Sequence, residues 1–251
     1  MFPLRDTIPS RNPPIATWTL IIINAVIFLL ELTMPAAQLD YVAALFGIVP
    51  ARYMHPDWAA AVGLSPHAYW PFLTSMFLHG GVLHILGNMW TLWIFGDNVE
   101  DRMGPVRFVV FYLVCGFIAS IVHVYSNPDS TLPTIGASGA IAGVMGAYFL
   151  LFPRARIVVL FPLLFIPFFF ELPAVTYLAW WAISQVFSGT LSVAVADSAG
   201  GIAWWAHVGG FVAGIVLQFF FVKRGRDYRP PTRDEYGVDA AWAPATQWRR
   251  G

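Results

Sequence analysis

Ser138 and His207 are the residues whose types and positions could perform chemistry. Ser138 lies in the run GASG at 136–139, and His207 lies in AHVGG at 206–210; each run opens an apolar segment. A serine hydroxyl becomes a good nucleophile when a neutral imidazole within hydrogen-bonding distance accepts its proton. The two residues predict acyl-transfer chemistry, provided that the fold brings them together.

His84 and Asn88 form a second polar pair. They are four residues apart in FLHGGVLHILGNMW at 77–90, so on a helix they would share one face. Their N–H groups, together with the Ser138 amide at a helix N-terminus, could stabilise an oxyanion. A single His or Asn in a membrane helix more often makes a structural hydrogen bond, so this hypothesis depends on their lying near the serine.

The composition places this chemistry in a lipid bilayer, which is the expected partner. Hydrophobic residues make up 58% of the 251 residues, charged residues make up 11%, and the mean hydropathy is +0.65. Soluble domains carry about 25% charged residues. The formal net charge is zero, which indicates no nucleic acid partner, and the single Cys115 cannot form an internal disulfide.

Six apolar segments, most near the roughly 20 residues that a spanning helix needs, must position these groups. They are 17–33, 71–96, 105–126, 139–153, 174–192 and 202–222. We expect an all-α polytopic membrane protein, a six-helix bundle at 17–222 between a cytoplasmic segment at 1–16 and a polar, disordered cytoplasmic tail at 223–251.

Three segments that connect the predicted helices have features of their own. Residues 34–70 form a long outer loop whose aromatic residues predict a structured segment in the headgroup zone. Residues 157–172 form an apolar, proline-broken block on the cytoplasmic side, which predicts an interfacial segment or an inner extension of the fifth helix. The sequence leaves open whether this block enters the membrane. Residues 193–203 form the last outer loop, a candidate cap over the site.

The Lys and Arg residues predict the orientation. With the N-terminus inside, all 14 of them except Arg52 lie on the cytoplasmic side, where such residues are enriched. Both termini are therefore expected in the cytoplasm. The first segment lacks a small-residue cleavage site after its apolar run, so we expect a retained helix, and the compact form without a transit-type N-terminus favours a bacterial plasma membrane.

Counting helix rise places the polar groups at one depth. Ser138 and His207 each precede a basic residue on the inner side, Arg154 and Lys223, by about 24 Å at 1.5 Å per residue. Asn88 precedes Arg102 by about 21 Å on the same scale. We expect all three groups about 5–10 Å below the outer boundary of a bilayer core about 30 Å thick.

Small residues would let the two helices approach each other. Gly136, Gly139 and Gly143 surround the serine, and Gly210 and Gly214 follow the histidine. G-x-x-x-G spacings allow close backbone packing between membrane helices, and we expect these five glycines to form the contact. Such spacings are common in membrane bundles and do not identify a site by themselves.

The motifs at 84–88, 136–139 and 206–214 resemble, in this order along the chain, those of the rhomboid intramembrane serine proteases, and the resemblance covers about residues 15–222. It implies that Ser138 is the nucleophile and His207 the general base, with an oxyanion hole formed by His84, Asn88 and the Ser138 amide. It also implies cleavage of transmembrane protein substrates near the outer membrane face, with no metal and no cofactor. The run VEDRMG at 99–104 resembles an acidic-basic turn of this family, and we assign it a structural role.

The chain departs from the family at several positions. Some members carry an aromatic residue where Ala142 stands, so another ring or helix packing must orient His207. The Trp-Arg pair of the family's outer loop is not found in residues 34–70. Asp197 precedes His207 in the last outer loop, where a carboxylate is more often simply solvated, so we expect a Ser-His dyad.

Three alternatives are open. A non-catalytic rhomboid-like protein that binds membrane helices would usually have lost the nucleophile or the base, and both are present. A transporter or channel would carry polar residues along a full pathway, whereas here they gather in the outer half. A metalloprotease would need a ligand motif such as H-E-x-x-H, which the sequence lacks. The sequence indicates neither the oligomeric state nor the physiological substrate.

Overall fold

The computed structural model describes residues 2–163, 166–194 and 203–223, and most of them are helical. Ten α-helices lie in these ranges: α1 (Ile15–Glu31), α2 (Ala36–Phe46), α3 (Pro50–Met54), α4 (Pro56–Ala61), α5 (Pro71–Thr74), α6 (Val82–Met103), α7 (Pro105–Ser126), α8 (Ser138–Leu151), α9 (Ala174–Ala194) and α10 (Trp204–Phe221). Three strands accompany them: β1 (Phe2–Asp6), β2 (Arg156–Leu163) and β3 (Ile166–Pro173). Asp197 and the tail beyond Lys223 lie outside the described residues, as does most of the predicted cap at 193–203.

Six long helices correspond to the six predicted apolar segments, with one clear difference. The segment predicted at 71–96 is divided into α5, a 3₁₀ turn at Ser75–Phe77 and α6. The chain is extended at Leu78, and α6 begins only at Val82, after the glycine pair at 80–81. Apolar composition alone does not reveal this break, because the residues on both sides of it are equally apolar.

Two helices of the described residues, α7 and α10, are long and apolar enough by themselves to cross a membrane. Helices α1 and α8 are apolar but have only 17 and 14 residues. The count of six spanning helices therefore stays a prediction. Large apolar side chains face outward on the long helices; on α10, Val212, Val216, Phe219 and Phe220 are 52 to 77% exposed.

Helix α8 lies at the centre of the bundle, and its residues 139–148 are all buried. It packs against α6, α7, α9 and α10. A Cβ atom on Gly210 would overlap the Gly139 carbonyl, and one on Gly214 would overlap the Gly143 carbonyl. Backbone therefore meets backbone between α8 and α10, and no side chain larger than hydrogen fits at these two positions.

The expectation of an all-α fold is confirmed only in part: the described residues are mostly helical, but they also form a three-stranded antiparallel sheet in the order β1-β2-β3. Strands β2 and β3 are the two arms of an antiparallel hairpin, in which Ile157 pairs with Leu172 and Val159 pairs with Phe170. Ile157 and Val159 are fully buried, and this alternation is the two-residue period of a strand. The fifth long helix begins only at Ala174, so an inner extension of it is excluded, and whether the hairpin enters the membrane stays open.

Two carboxylates, the buried Glu100 and the half-buried Asp6, join the sheet and α1 to the other helices. Glu100 accepts hydrogen bonds from the Ala16 amide at 2.9 Å and from the Thr17 amide and hydroxyl at 2.8 Å each, so it caps the N-terminus of α1. Asp6 of β1 accepts hydrogen bonds from Asn98 of α6 and from the Tyr148 hydroxyl of α8. The acidic-basic turn at 99–104 thus holds the N-terminal segment against the bundle.

The predicted outer loop at 34–70 is structured, as expected, and contains α2, α3 and α4. Its centre is Arg52, which is fully buried and donates hydrogen bonds to the carbonyls of Ser65 at 2.9 Å and Leu45 at 3.1 Å. The Arg52 guanidinium also lies 5.9 Å from the ring centroid of Trp70. The fold therefore forms a Trp-Arg contact that no local motif in the loop predicts.

Candidate active site

Ser138 and His207 meet at the N-terminal ends of α8 and α10. Ser138 is the first residue of α8, and His207 lies in the first turn of α10. The Ser138 Oγ is 2.8 Å from the His207 Nε2, and the imidazole is only 8% exposed. The glycine contact described above brings the two helix starts side by side, so a hydroxyl and a ring nitrogen share a hydrogen bond.

The loop before Ser138 is held by hydrogen bonds from three directions. Thr134 exchanges two backbone hydrogen bonds with Ile48 of the outer loop, at 2.9 and 2.7 Å. The Gly136 amide donates to the Ser75 carbonyl at 2.8 Å. The Thr134 hydroxyl lies 2.8 Å from Nε2 of the buried His123. These hydrogen bonds fix the loop that precedes Ser138. The sequence analysis did not predict that Thr134 and His123 would hold this loop.

Gly136, predicted above as a helix-packing residue, is a turn residue instead. It lies before α8 with φ +130°, a backbone conformation that favours glycine. A Cβ atom here would lie 2.7 Å from Cε1 and Nε2 of His84 and 3.7 Å from Nδ2 of Asn88. The missing side chain therefore lets both donors approach the backbone two residues before Ser138. The packing prediction is wrong here because glycine serves tight turns and helix contacts equally well.

Asn88 and His84 present N–H groups to this backbone. Asn88 Nδ2 is buried and has no hydrogen-bond partner among the described residues. His84 Nδ1 lies 3.4 Å from the Gly80 amide, which can only donate, so we assign the ring proton to Nε2, which faces Gly136. A buried amide N–H without an acceptor is costly in a folded protein, and a ligand oxygen would remove that cost.

A cavity of about 750 Å³ joins these groups, and its lining includes His84, Asn88, Ser138 and His207. Its volume lies in the range typical of sites for small molecules or peptide segments, about 300–1,000 Å³. The described residues contain no group of three or more His, Cys, Asp or Glu side chains that could hold a metal ion. The chemistry that the cavity supports is nucleophilic attack by a hydroxyl beside an imidazole and N–H donors.

Gln185 and Trp181 are the site residues that sequence reasoning missed. Gln185 Oε1 of α9 lies 2.7 Å from His207 Nδ1, and the Trp181 ring lies 5.9 Å from the His207 ring, tilted by 36°. Both contact the imidazole, in a chain that has Ala142 on α8. One signal was available: a glutamine in an apolar helix is costly in a membrane and needs a partner.

Comparison with known proteins identifies relatives of this chain. The sequence profile of the Rhomboid domain matches residues 66–224. RHOMBOID-like protein 1 of Arabidopsis thaliana is 30% identical over 158 residues, 63% of this chain and 36% of the relative. The mouse presenilin-associated rhomboid-like protein, mitochondrial, is 31% identical over 153 residues, 58% of this chain and 36% of the relative.

Another relative matches a shorter part of the chain at higher sequence identity. RHOMBOID-like protein 6, mitochondrial, of Arabidopsis thaliana is 37% identical over 91 residues, 36% of this chain and 28% of the relative. The matched part thus spans only about a third of the length of these curated relatives. The named relatives are plant and animal proteins, two of them mitochondrial.

Proposed function

The chain belongs to the rhomboid family, and we propose that it is an intramembrane serine endopeptidase that cleaves transmembrane-helix substrates near the outer membrane face with a Ser-His dyad. The observation that carries this proposal is the 2.8 Å distance between Ser138 Oγ and His207 Nε2 at the cavity that Asn88 and His84 also line. A protein that only binds membrane helices has no need for this pair.

The first half of the proposed reaction forms an acyl-enzyme. Ser138 Oγ attacks the carbonyl carbon of the scissile peptide bond, and His207 Nε2 accepts the hydroxyl proton. The carbonyl oxygen becomes an oxyanion, which accepts hydrogen bonds from Asn88 Nδ2, His84 Nε2 and the Ser138 amide. When the C–N bond breaks, the imidazolium returns its proton to the leaving amine.

The second half hydrolyses the acyl-enzyme. A water molecule attacks the ester carbonyl and gives a proton to His207, and the same donors hold the second oxyanion. Collapse releases the new carboxyl group, and His207 reprotonates Ser138. Water must therefore reach the cavity, which favours a site near one membrane face over one at the bilayer centre. We propose that substrate helices reach it laterally, beside α6 and α9.

The long helices and the positions of the basic residues support a proposal for the membrane placement. We propose that α1, α6, α7, α8, α9 and α10 all span the bilayer, with both termini in the cytoplasm of a bacterial plasma membrane. The short α8 would begin below the outer boundary, because 14 residues rise only about 21 Å. The exposed apolar faces of the long helices are suited to lipid contact.

Labelling of introduced cysteines tests this placement. In a Cys115→Ala background, Asp57→Cys places a thiol in the outer loop and Arg107→Cys places one at the start of α7. A membrane-impermeant maleimide should label the first variant in intact bacterial cells and the second only after permeabilisation. The reverse pattern would overturn the orientation.

Reconstitution with a model transmembrane substrate tests the activity. We expect cleavage by the wild type and none by Ser138→Ala or His207→Ala, whereas Ser120→Ala should cleave like the wild type. Ser120 is the matched control, because it lines the same cavity without a catalytic role. A fluorophosphonate should label the wild type and not Ser138→Ala. Absence of both cleavage and labelling in folded wild type would favour the non-catalytic alternative.

A further inference from the structure

Gln185 is a buried polar side chain in the apolar helix α9. Its residue is 6% exposed, and its side-chain amide makes three contacts. Oε1 lies 2.7 Å from His207 Nδ1, and Nε2 lies 3.0 Å from the Ser184 hydroxyl and 3.4 Å from the Trp181 carbonyl. A buried amide in such a helix needs partners, and one of its partners is the imidazole beside Ser138.

The contacts determine which way the amide faces. The Trp181 carbonyl can only accept a hydrogen bond, so it must be met by the NH₂ group of Gln185. The carbonyl Oε1 then faces His207 and can only accept. Because Oε1 is an acceptor, Nδ1 of His207 must carry the ring proton. In a neutral imidazole this leaves Nε2 unprotonated and able to accept the proton of Ser138.

We propose that Gln185 is a positioning residue that selects this tautomer of His207 and holds the ring toward Ser138. This inference rests on the proposed function. Gln185 occupies the place that the carboxylate takes in a Ser-His-Asp triad, but as a neutral amide it supplies direction without a charge. Trp181, one turn earlier on α9, packs against the same ring. Helix α9 therefore supplies both the hydrogen bond and the ring contact that orient His207.

Replacement of Gln185 by leucine removes the hydrogen-bond acceptor and leaves an apolar side chain of similar size. We expect kcat for a transmembrane substrate to fall about 10- to 100-fold, by analogy with the loss of the hydrogen-bond partner of a metal-bound histidine. KM should change little, because Gln185 positions a ring and is not proposed to bind the substrate. Gln185→Glu keeps an acceptor oxygen and should retain most of the kcat that Gln185→Leu loses.

Gln218→Leu is the matched control. Gln218 is also a buried glutamine in an apolar helix, 4% exposed, but it lies toward the far end of α10 from His207. We expect its kcat to equal that of the wild type even if its thermal midpoint falls. Equal kcat losses in Gln185→Leu and Gln218→Leu would show that Gln185 has a merely structural role.

The imidazole nitrogens of His207 give a readout that does not require activity. Solid-state or solution NMR of ¹⁵N-histidine-labelled protein distinguishes a protonated ring nitrogen from an unprotonated one. We expect Nδ1–H and an unprotonated Nε2 in the wild type and in Ser138→Ala, and a mixture of tautomers in Gln185→Leu. An unprotonated Nδ1 in the wild type would overturn the proposal, even if Gln185→Leu failed to fold.

The two proposals fail in different ways. If the folded wild type neither cleaves nor reacts with a fluorophosphonate, the proposed protease function is wrong, whatever the tautomer. If the wild type cleaves and Gln185→Leu cleaves with the same kcat and the same His207 tautomer, the inference about Gln185 is wrong while the protease function stands.

Discussion

The two ends of the helix bundle use buried polar groups in opposite ways. At the end that carries the sheet, Glu100 accepts three hydrogen bonds, and the half-buried Asp6 accepts hydrogen bonds from Asn98 and Tyr148, so both carboxylates have partners. At the cavity end, Asn88 Nδ2 is buried and has no partner among the described residues. The difference indicates that the sheet end is built for stability, whereas the cavity end keeps donors ready for a substrate oxygen.

The loss of Glu100 should have the largest effect, and it should be on stability alone. Glu100→Ala leaves the donors of Ala16 and Thr17 without their acceptor, and each unsatisfied buried donor costs about 1–3 kcal/mol. We expect the free energy of unfolding to fall by about 3–5 kcal/mol. Thermal unfolding in detergent measures the change, and kcat per folded molecule should stay that of the wild type.

Asp101→Asn is the control for that variant. Asp101 accepts hydrogen bonds from Arg11 and Asn12 at an exposed position, and asparagine keeps an acceptor oxygen. We expect a loss below about 1 kcal/mol. If Glu100→Ala is no less stable than Asp101→Asn, the buried hydrogen bonds of Glu100 do not stabilise the sheet end of the bundle.

The loss of Asn88 should show the opposite pattern. Asn88→Ala removes a proposed oxyanion donor and should lower kcat about 10²- to 10³-fold, which corresponds to about 2.7–4 kcal/mol. The thermal midpoint should stay the same or rise, because the amide removed has an unpartnered N–H. Asn24→Ala, in the buried part of α1, is the control and should leave kcat unchanged. An unchanged rate in Asn88→Ala would make Asn88 a structural residue.

The glycine contact between α8 and α10 should affect both properties. The methyl group of Gly210→Ala would overlap the Gly139 carbonyl, so the two helices must separate. We expect a stability loss of about 1–3 kcal/mol and slower fluorophosphonate labelling of Ser138. Gly87→Ala is the control, because a Cβ atom at Gly87 meets no atom within 4 Å. Equal thermal midpoints for the two variants would contradict the close packing.

The smallest effect is expected at the border of the cavity. Thr134→Val keeps the shape of the side chain and removes the hydroxyl that bonds to His123. We expect a loss of about 0.5–1.5 kcal/mol, with a modest fall in the labelling rate because the loop before Ser138 loosens. Thr190→Val, on an exposed face of α9, should change neither quantity. If Thr134→Val and Thr190→Val have the same stability and the same labelling rate, the hydrogen bond between Thr134 and His123 does not support the site.

The apolar segments of the sequence locate the long helices well. The segment predicted at 105–126 matches α7, and the one predicted at 174–192 matches α9 except at its end. Composition predicts these helices because burial or lipid contact requires uninterrupted apolar residues. The same reasoning failed at 157–172, where an apolar run folds as strands. The two-residue period at Ile157 and Val159 was the available signal.

The polar residues of the site were predictable only in part. Ser138, His207, His84 and Asn88 stand in recognisable local runs, and the structure brings them to one cavity. Gln185 stands in no such run, because its partner His207 is on another helix. A hydrogen bond between distant segments leaves no local pattern in a single sequence. The role of Gly136 was also undecidable, since glycine permits a positive φ and close packing alike.

The sequence by itself determined the residue types at the starts of α8 and α10 and along α6. It also determined their order along each helix axis, because the rise per residue is constant. Only the tertiary structure decided how each helix is rotated and which neighbour it meets. Those properties depend on packing between distant segments, such as Gly210 against Gly139 and Gln185 against His207. The proposed nucleophile and base are thus visible in the sequence, whereas the contacts made by their side chains exist only in the folded chain.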